Sequence, residues 1–217
     1  MEDKSESYGN NLSWSNELED YIKTTGEQAR ALAWLHKKCE HKFTYLRNWI
    51  ELPVIVLSAV VGFCSVGSST IFYGKVELSS ILLGCISLFV SVLNTVNSYF
   101  SWSKRAEGHR IASLQYDRLH RYVVIELSLP RSERMNPGEL LKHVREFVDR
   151  LSEISPQIDN KIIYLYKREI MPAYATLSHP VEVNGLVAIR IVRDKMHLST
   201  PTSININSEA HPSPVPS

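Results

Sequence analysis

The sequence predicts an all-α membrane protein: a two-helix transmembrane hairpin whose long helices extend into a cytosolic helical bundle. Three observations predict it. Residues 52–74 and 78–103 carry no charged side chain, only Lys75, Val76 and Glu77 separate them, and apolar residues recur at three- and four-residue spacing on either side. A hydrocarbon core about 30 Å thick is crossed by roughly 20 apolar residues at 1.5 Å each. Both runs suffice, and so short a link folds them back on one another. A backbone in hydrocarbon has to satisfy its own hydrogen bonds, which makes each span helical. A buried hairpin in a soluble protein is the competing explanation. Buried soluble helices rarely stay uncharged beyond about 18 residues, so two such runs in succession disfavour it.

The elements follow in order. Residues 1–24 form an acidic segment, with Glu2, Asp3, Glu6, Glu17, Glu19 and Asp20 against Lys4 and Lys23. It is expected to be loosely ordered as far as Leu12, with Trp14, Leu18, Tyr21 and Ile22 on one short amphipathic helix. Thr24 with Glu27, or Thr25 with Gln28, then suits a capping box that starts the next helix. Along it Leu32, Leu35, Cys39, Phe43, Leu46 and Ile50 form one apolar stripe leading into the first span. Pro53 is tolerable there at a turn or kink, and Tyr45 and Trp49 suit an interfacial aromatic belt.

Beyond Ser103 the stripe Ala112, Tyr116, Leu119 and Val123 continues without a proline until Pro130. The second span is therefore expected to run on as one rod over 78–128, about 75 Å long. Asn136-Pro137-Gly138-Glu139 restarts a helix, with Asn as N-cap and Pro at the first position. That helix stops before Pro156, and a further one is expected over 159–170, closed by Pro172. Together 25–51 and 104–172 form the expected bundle of a domain spanning 25–172. In the tail, 173–217, Val181-Glu182-Val183, Asn184-Gly185 and Val187, Ile189, Ile191 read as a β-hairpin over 181–192. A lone hairpin is marginal in water, so it either pairs with another chain or is flexible. Residues 199–217, rich in Ser, Pro and Asn, are expected to be disordered.

Charge placement orients the hairpin. The net charge of +1 gives no global case for nucleic acid as a partner. Lys37, Lys38, Lys42 and Arg47 precede the first span and Lys104, Arg105, Arg110, Arg118 and Arg121 follow the second, against Lys75 alone in the link. The excess of basic residues places both termini in the cytosol. There is no signal-peptide core, so targeting falls to the first span.

Each span carries a stripe of small and polar residues. The first holds Ser58, Gly62, Ser65 and Ser69; the second holds Ser80, Gly84, Ser87, Ser91, Asn94, Ser98 and Ser101, with Asn97 beside it. Small residues let helices approach closely, and hydroxyls and amides bond across the contact. The stripes suit a packing seam inside the hairpin, or the lining of a pore. Two helices cannot enclose water, so a pore needs several copies of the chain. The two roles can coexist at different depths.

Little else carries chemistry. No GxSxG, P-loop, HExxH or dinucleotide fingerprint occurs, which disfavours an enzyme and implies no cofactor. The three cysteines, Cys39, Cys64 and Cys85, form no CxxC pair. His36, Cys39 and His41 cluster, but Cys39 lies on the apolar stripe and no fourth metal ligand is evident. Arg131, Glu133 and Arg134 suit surface ion pairs, or else a regulatory anion. The spans contain no Asp, Glu, Lys, Arg or His, which disfavours pumps and coupled transporters.

The layout WLHKKCEHKFTYLRNWIELP, a tight two-span hairpin, then KRAEGHRIASLQYDRLHRYVVIEL and further helices, resembles the SLATT family, two-span effectors associated with nucleotide-sensing conflict systems. The likeness covers about residues 25–172. The segment YVVIELSLPRSERMNPGELLKHVREFVDRLSEISP is similar to versions carried by large DNA viruses of eukaryotes and their hosts. The resemblance implies an oligomeric, pore-forming membrane effector. No sensor or nucleotide-binding domain lies within these residues, so the trigger implied is a sensor or regulatory protein acting in trans. Two functions are therefore expected: a homo-oligomeric pore or channel, or a non-conducting membrane anchor whose bundle recruits partners.

Overall fold

The computed structural model describes residues 12–67 and 76–185. Six helices follow one another: α1 (Asn16–Val66), α2 (Val76–Phe100), α3 (Trp102–Ser128), α4 (Pro137–Ile154), α5 (Asn160–Ala173) and the single turn α6 (Val181–Asn184). Among the described residues there is no strand. Expectations for residues 1–11, for Ser69 and the link at Lys75, and for 186–217, including the second half of the β-hairpin and the Ser/Pro/Asn tail, lie outside them.

α1 is one helix of 51 residues. Ser15 caps it, its Oγ accepting from Leu18 N at 3.2 Å. The capping boxes at Thr24 and Thr25 therefore start nothing. Thr25 instead donates its hydroxyl to the Tyr21 carbonyl one turn back, a bond compatible with an uninterrupted helix. The helix also runs through Pro53, which has no N–H to give to the carbonyl four residues earlier. It ends at Val66, with Gly67 as C-cap, short of the expected limit at 74.

The rod expected over 78–128 is broken at Ser101, whose backbone is left-handed at φ 49°, ψ 41°. This is the one positive-φ non-glycine residue described. The conformation is costly for an L-residue with a Cβ. Ser101 Oγ donates to the Ser98 carbonyl at 2.9 Å, compensating part of the disturbed hydrogen bonding. The helix after Asn136 begins as expected, with the Asn136 side chain accepting from Gly138 N. Asp159 caps α5 in the same way through Lys161 N. The strand expected at Val181–Val183 is a helical turn. Pro180 precedes it at φ −71°, Gly185 closes it at φ +76°, and the buried Val183 packs in the cluster of Leu35, Cys39 and Tyr166.

α1 lies against both α2 and α3 as the common element. Its contact with α3 is built from small residues. Gly26, Ala29 and Ala33 face Ala112, Ser113 and Val123, and Ser113 Oγ donates to the Ala33 carbonyl at 3.0 Å. His120 Nδ1 donates to the Gly26 carbonyl at 3.0 Å. α4 covers one side of this pair through Leu140, Val144 and Leu151, and α5 covers α1 further along through Ile162, Ile163 and Tyr166. At the α3–α4 corner Glu19 receives Arg131 at 2.7 Å and Arg134 at 2.6 Å. Bonds from Arg131 and then Arg134 hold its carboxyl down at about 2. The anion among these arginines is thus a side chain of α1.

The other end is uncovered. Two helices are long and apolar enough to cross a membrane, and only 6% and 11% of their most apolar windows is buried. Phe63, Leu82 and Leu88 all lie exposed. The apolar residues of a soluble core helix would be covered by the rest of the chain; these are not.

Gly26 supplies a test of the α1–α3 contact. Alanine there gains about 1 kcal/mol in helix propensity, yet its Cβ would stand 2.7 Å from Val123 Cγ1. Gly26→Ala is expected to lose up to about 2 kcal/mol net, the cost of overpacking less that gain, read as a lower Tm in detergent. A raised Tm contradicts the close approach.

Candidate functional site

The hairpin seam is not made of the small polar stripes. Its buried and half-buried positions are Val54, Leu57, Val61 and Cys64 on α1, with Ser79, Leu83, Ile86, Val90 and Leu93 on α2. Apart from Ser79, which the sequence reading did not single out, this seam is aliphatic and thiol. Ser58, Gly62 and Ser65 on α1, and Ser80, Gly84, Ser87, Ser91, Asn94 and Ser98 on α2, are exposed. A Cβ built at Gly62 or Gly84 would meet nothing within 4 Å. Ser101 is half-buried at the helix break.

Where the exposed stripes point follows from helix geometry. At about 100° per residue, stripe and seam lie roughly 90° apart on each helix, in the same rotational sense along each chain direction. The helices run antiparallel, so equal offsets of the same sense place both stripes on one side. The hairpin therefore has a small, hydroxyl- and amide-bearing flank. Its opposite flank carries Val56, Val60 and Phe63 on α1 with Leu78, Leu82 and Phe89 on α2, all exposed. Asn97 stands apart. It is half-buried at the edge of the seam, and its Nδ2 donates to Glu51 Oε1 at 3.3 Å. Arg47 approaches the same carboxylate at 3.5 Å.

An aromatic cluster marks the end of the uncovered segment. Tyr45 and Trp49 meet edge to face at 6.1 Å, and Phe100 stacks on Trp102 at 5.0 Å with Tyr99 across its edge. These residues bracket Glu51–Asn97 from both helices. Amphipathic rings at one level on two neighbouring helices suit a membrane–water boundary.

Just beyond this belt is a second constellation that the sequence did not reveal. His36 of α1 and His109 of α3 are 1% and 2% exposed, with their Nδ1 atoms 2.9 Å apart. Tyr116 stacks on His36 and Phe43 on His109. Burial, then the neighbouring His109, pushes His36 down to about 4. Burial and then Arg105 push His109 down, with Asp159 opposing. Burial likewise pushes the Tyr116 phenol and the Cys39 thiol up. His36, Cys39 and His41 do not converge: His36 faces α3, Cys39 packs with Ile158 and Tyr166, and His41 is exposed. The pairing of residues 73 positions apart leaves no local signature; the only hint is that each lies on its helix's buried stripe.

The open flank can be probed without any assumption about assembly. Gly84→Ala, whose Cβ meets nothing within 4 Å, is expected to be neutral or to stabilise the detergent-solubilised protein by up to about 1 kcal/mol through helix propensity. Val90→Ala, which empties the seam, is expected to cost about 1–2 kcal/mol. Equal losses from the two would place the stripe inside the seam.

No family model, curated protein or solved structure matches the chain.

Proposed function

We propose that the protein is a two-span membrane protein that assembles with copies of itself, turning the Ser/Gly/Asn flank toward a shared axis to form a pore or channel-like effector. The observation that carries this reading is that both stripes lie outside the hairpin seam and on the same side. A flank of hydroxyls and amides gains little from acyl chains, whereas it can bond across a helix contact or face water. The opposite flank, with Phe63, Leu82 and Phe89, is suited to lipid. The resemblance of the layout to the SLATT family adds to the case. The spans begin beyond the aromatic belt, and the basic residues on the side of the packed helices put both termini in the cytosol. The lipid bilayer and further copies of the chain are then its immediate partners, with any sensor acting in trans. No step requires an enzyme active site or cofactor.

A second reading has its own support. On α3, the face turned away from α1 leaves Ile111, Leu114 and Ile125 exposed. This is a surface on which a cytosolic partner could dock, as in a non-conducting anchor or scaffold. Swapping the hairpin for unrelated spans separates the two. Retained activity supports the anchor, and lost activity supports the pore.

Purified protein in planar bilayers is expected to conduct, and mass measurement in nanodiscs is expected to find an oligomer. Ser91→Leu and Asn94→Leu should abolish or sharply reduce the current while leaving the fold of the packed helices intact. A strictly monomeric protein, or a current indifferent to both substitutions, excludes this lining.

A further inference from the structure

The His36–His109 contact takes no part in the polar flank, yet it occupies a telling place. It joins the two helices that lead toward the spans, about 10–14 Å beyond the nearest rings of the aromatic belt at 1.5 Å per residue. At 2.9 Å between two Nδ1 atoms, one ring donates and the other accepts. The pair therefore holds a single shared proton while both imidazoles stay neutral, each with its tautomer fixed by the other.

A further proton has no favourable site on either ring. On the accepting Nδ1 it would set two N–H groups against one another; on the free Nε2 of the donor ring it would leave an imidazolium among buried rings, where burial already holds both histidines below their ordinary value. The charges that face the pair do little to receive it. Arg105 on α3 is of like sign and stands over Phe43, the ring stacked on His109. Asp159, between α4 and α5, is the nearby acid, but it is engaged by Lys42 and by its cap to Lys161 N. Lys161 contributes another positive charge. On the remaining side the Tyr116 phenol, stacked on His36, is kept neutral by burial. An open cleft of about 600 Å³, lined by Phe43, Arg105, His109, Asp159 and Lys161, abuts the buried His109.

We propose that His36 and His109 form a proton-operated clasp: neutral, it holds α1 against α3 beside the membrane; protonated, it releases them. The clasp belongs to the packed helices and stands whether or not the hairpin conducts. Its sign is fixed by the lowered histidine values. The unfolded or opened state binds protons more readily, so the joint is intact near neutrality. It weakens as pH falls below the ordinary histidine value toward that of His36. Release at this level would free α1, continuous into the first apolar segment, to move relative to α3, which joins α2 through the break at Ser101.

The test uses the full chain in nanodiscs, with amide hydrogen exchange corrected for intrinsic rate. Between about pH 7.5 and pH 4.5, protection over residues 33–43 and 105–116 should fall about a hundredfold, one factor of ten for each of the roughly two pH units below the ordinary histidine value. The double variant His36→Gln/His109→Gln keeps a donor–acceptor pair that does not titrate, and its protection should be flat. Unchanged protection in the wild type, or the same loss in the double variant, overturns the proposal. Should the double variant fail to fold, nitrogen chemical shifts of the wild-type histidines decide. At about pH 6, where a free histidine is mostly charged, both rings should be neutral with one Nδ1 protonated. Two imidazolium rings at that pH overturn it equally.

Discussion

The structure depends on the antiparallel register of α1 with α2 and α3. Gly26 meets Val123, Ala33 meets Ser113, His36 meets His109, and Glu51 meets Asn97. As one partner climbs α1 the other descends the returning helices, over about 38 Å at 1.5 Å per residue. A slip of one residue would rotate every facing side chain by about 100°. It would drive Val123 off the only glycine described on that stretch of α1 and separate the buried imidazoles. Close approach makes the register specific.

From that register the asymmetry of the hairpin follows. With the aliphatic residues in the seam, the small polar residues of both helices come to one flank and the large apolar ones to the other. α5, meanwhile, packs against the Leu35–Cys39 side of α1. Further along, the ion pairs of Asp117 with Arg30 and Arg121, and of Lys37 with Glu40, give the paired helices a solvated charged surface. Exposed pairs of this kind add little stability. Their significance is that this surface of the packed half is suited to water.

Much of this was legible in sequence. The two long apolar helices, the helix over about 159–170 and the cap at Asn136 follow from local rules, because each depends on a few neighbouring side chains. Misreadings arose where local and global preferences competed. Thr24 and Thr25 resemble helix starts, but helix packing on both sides of them keeps α1 continuous. Ser101 carries no breaker signature. Val181–Val183 reads as a strand by composition, yet Pro180 and the burial of Val183 favour a helical turn. The stripes were visible as stripes; which face entered the seam was not. A seam of valine, leucine and isoleucine has the same three- and four-residue spacing as the serines beside it, and periodicity alone cannot rank them. The histidine pair was hidden for a different reason: it exists only once two distant helices are in register.

The most direct measurement of the central claim is spin-label accessibility in lipid nanodiscs, on a cysteine-free background. One label is placed at Ser87→Cys on the polar flank and one at Leu82→Cys on the apolar flank. The expected result is a label at 82 that collides freely with oxygen dissolved in the acyl chains and a label at 87 shielded from it. Equal exposure of the two to lipid oxygen, or a chain that stays in the aqueous fraction without detergent, would contradict a hairpin with one flank turned away from the membrane.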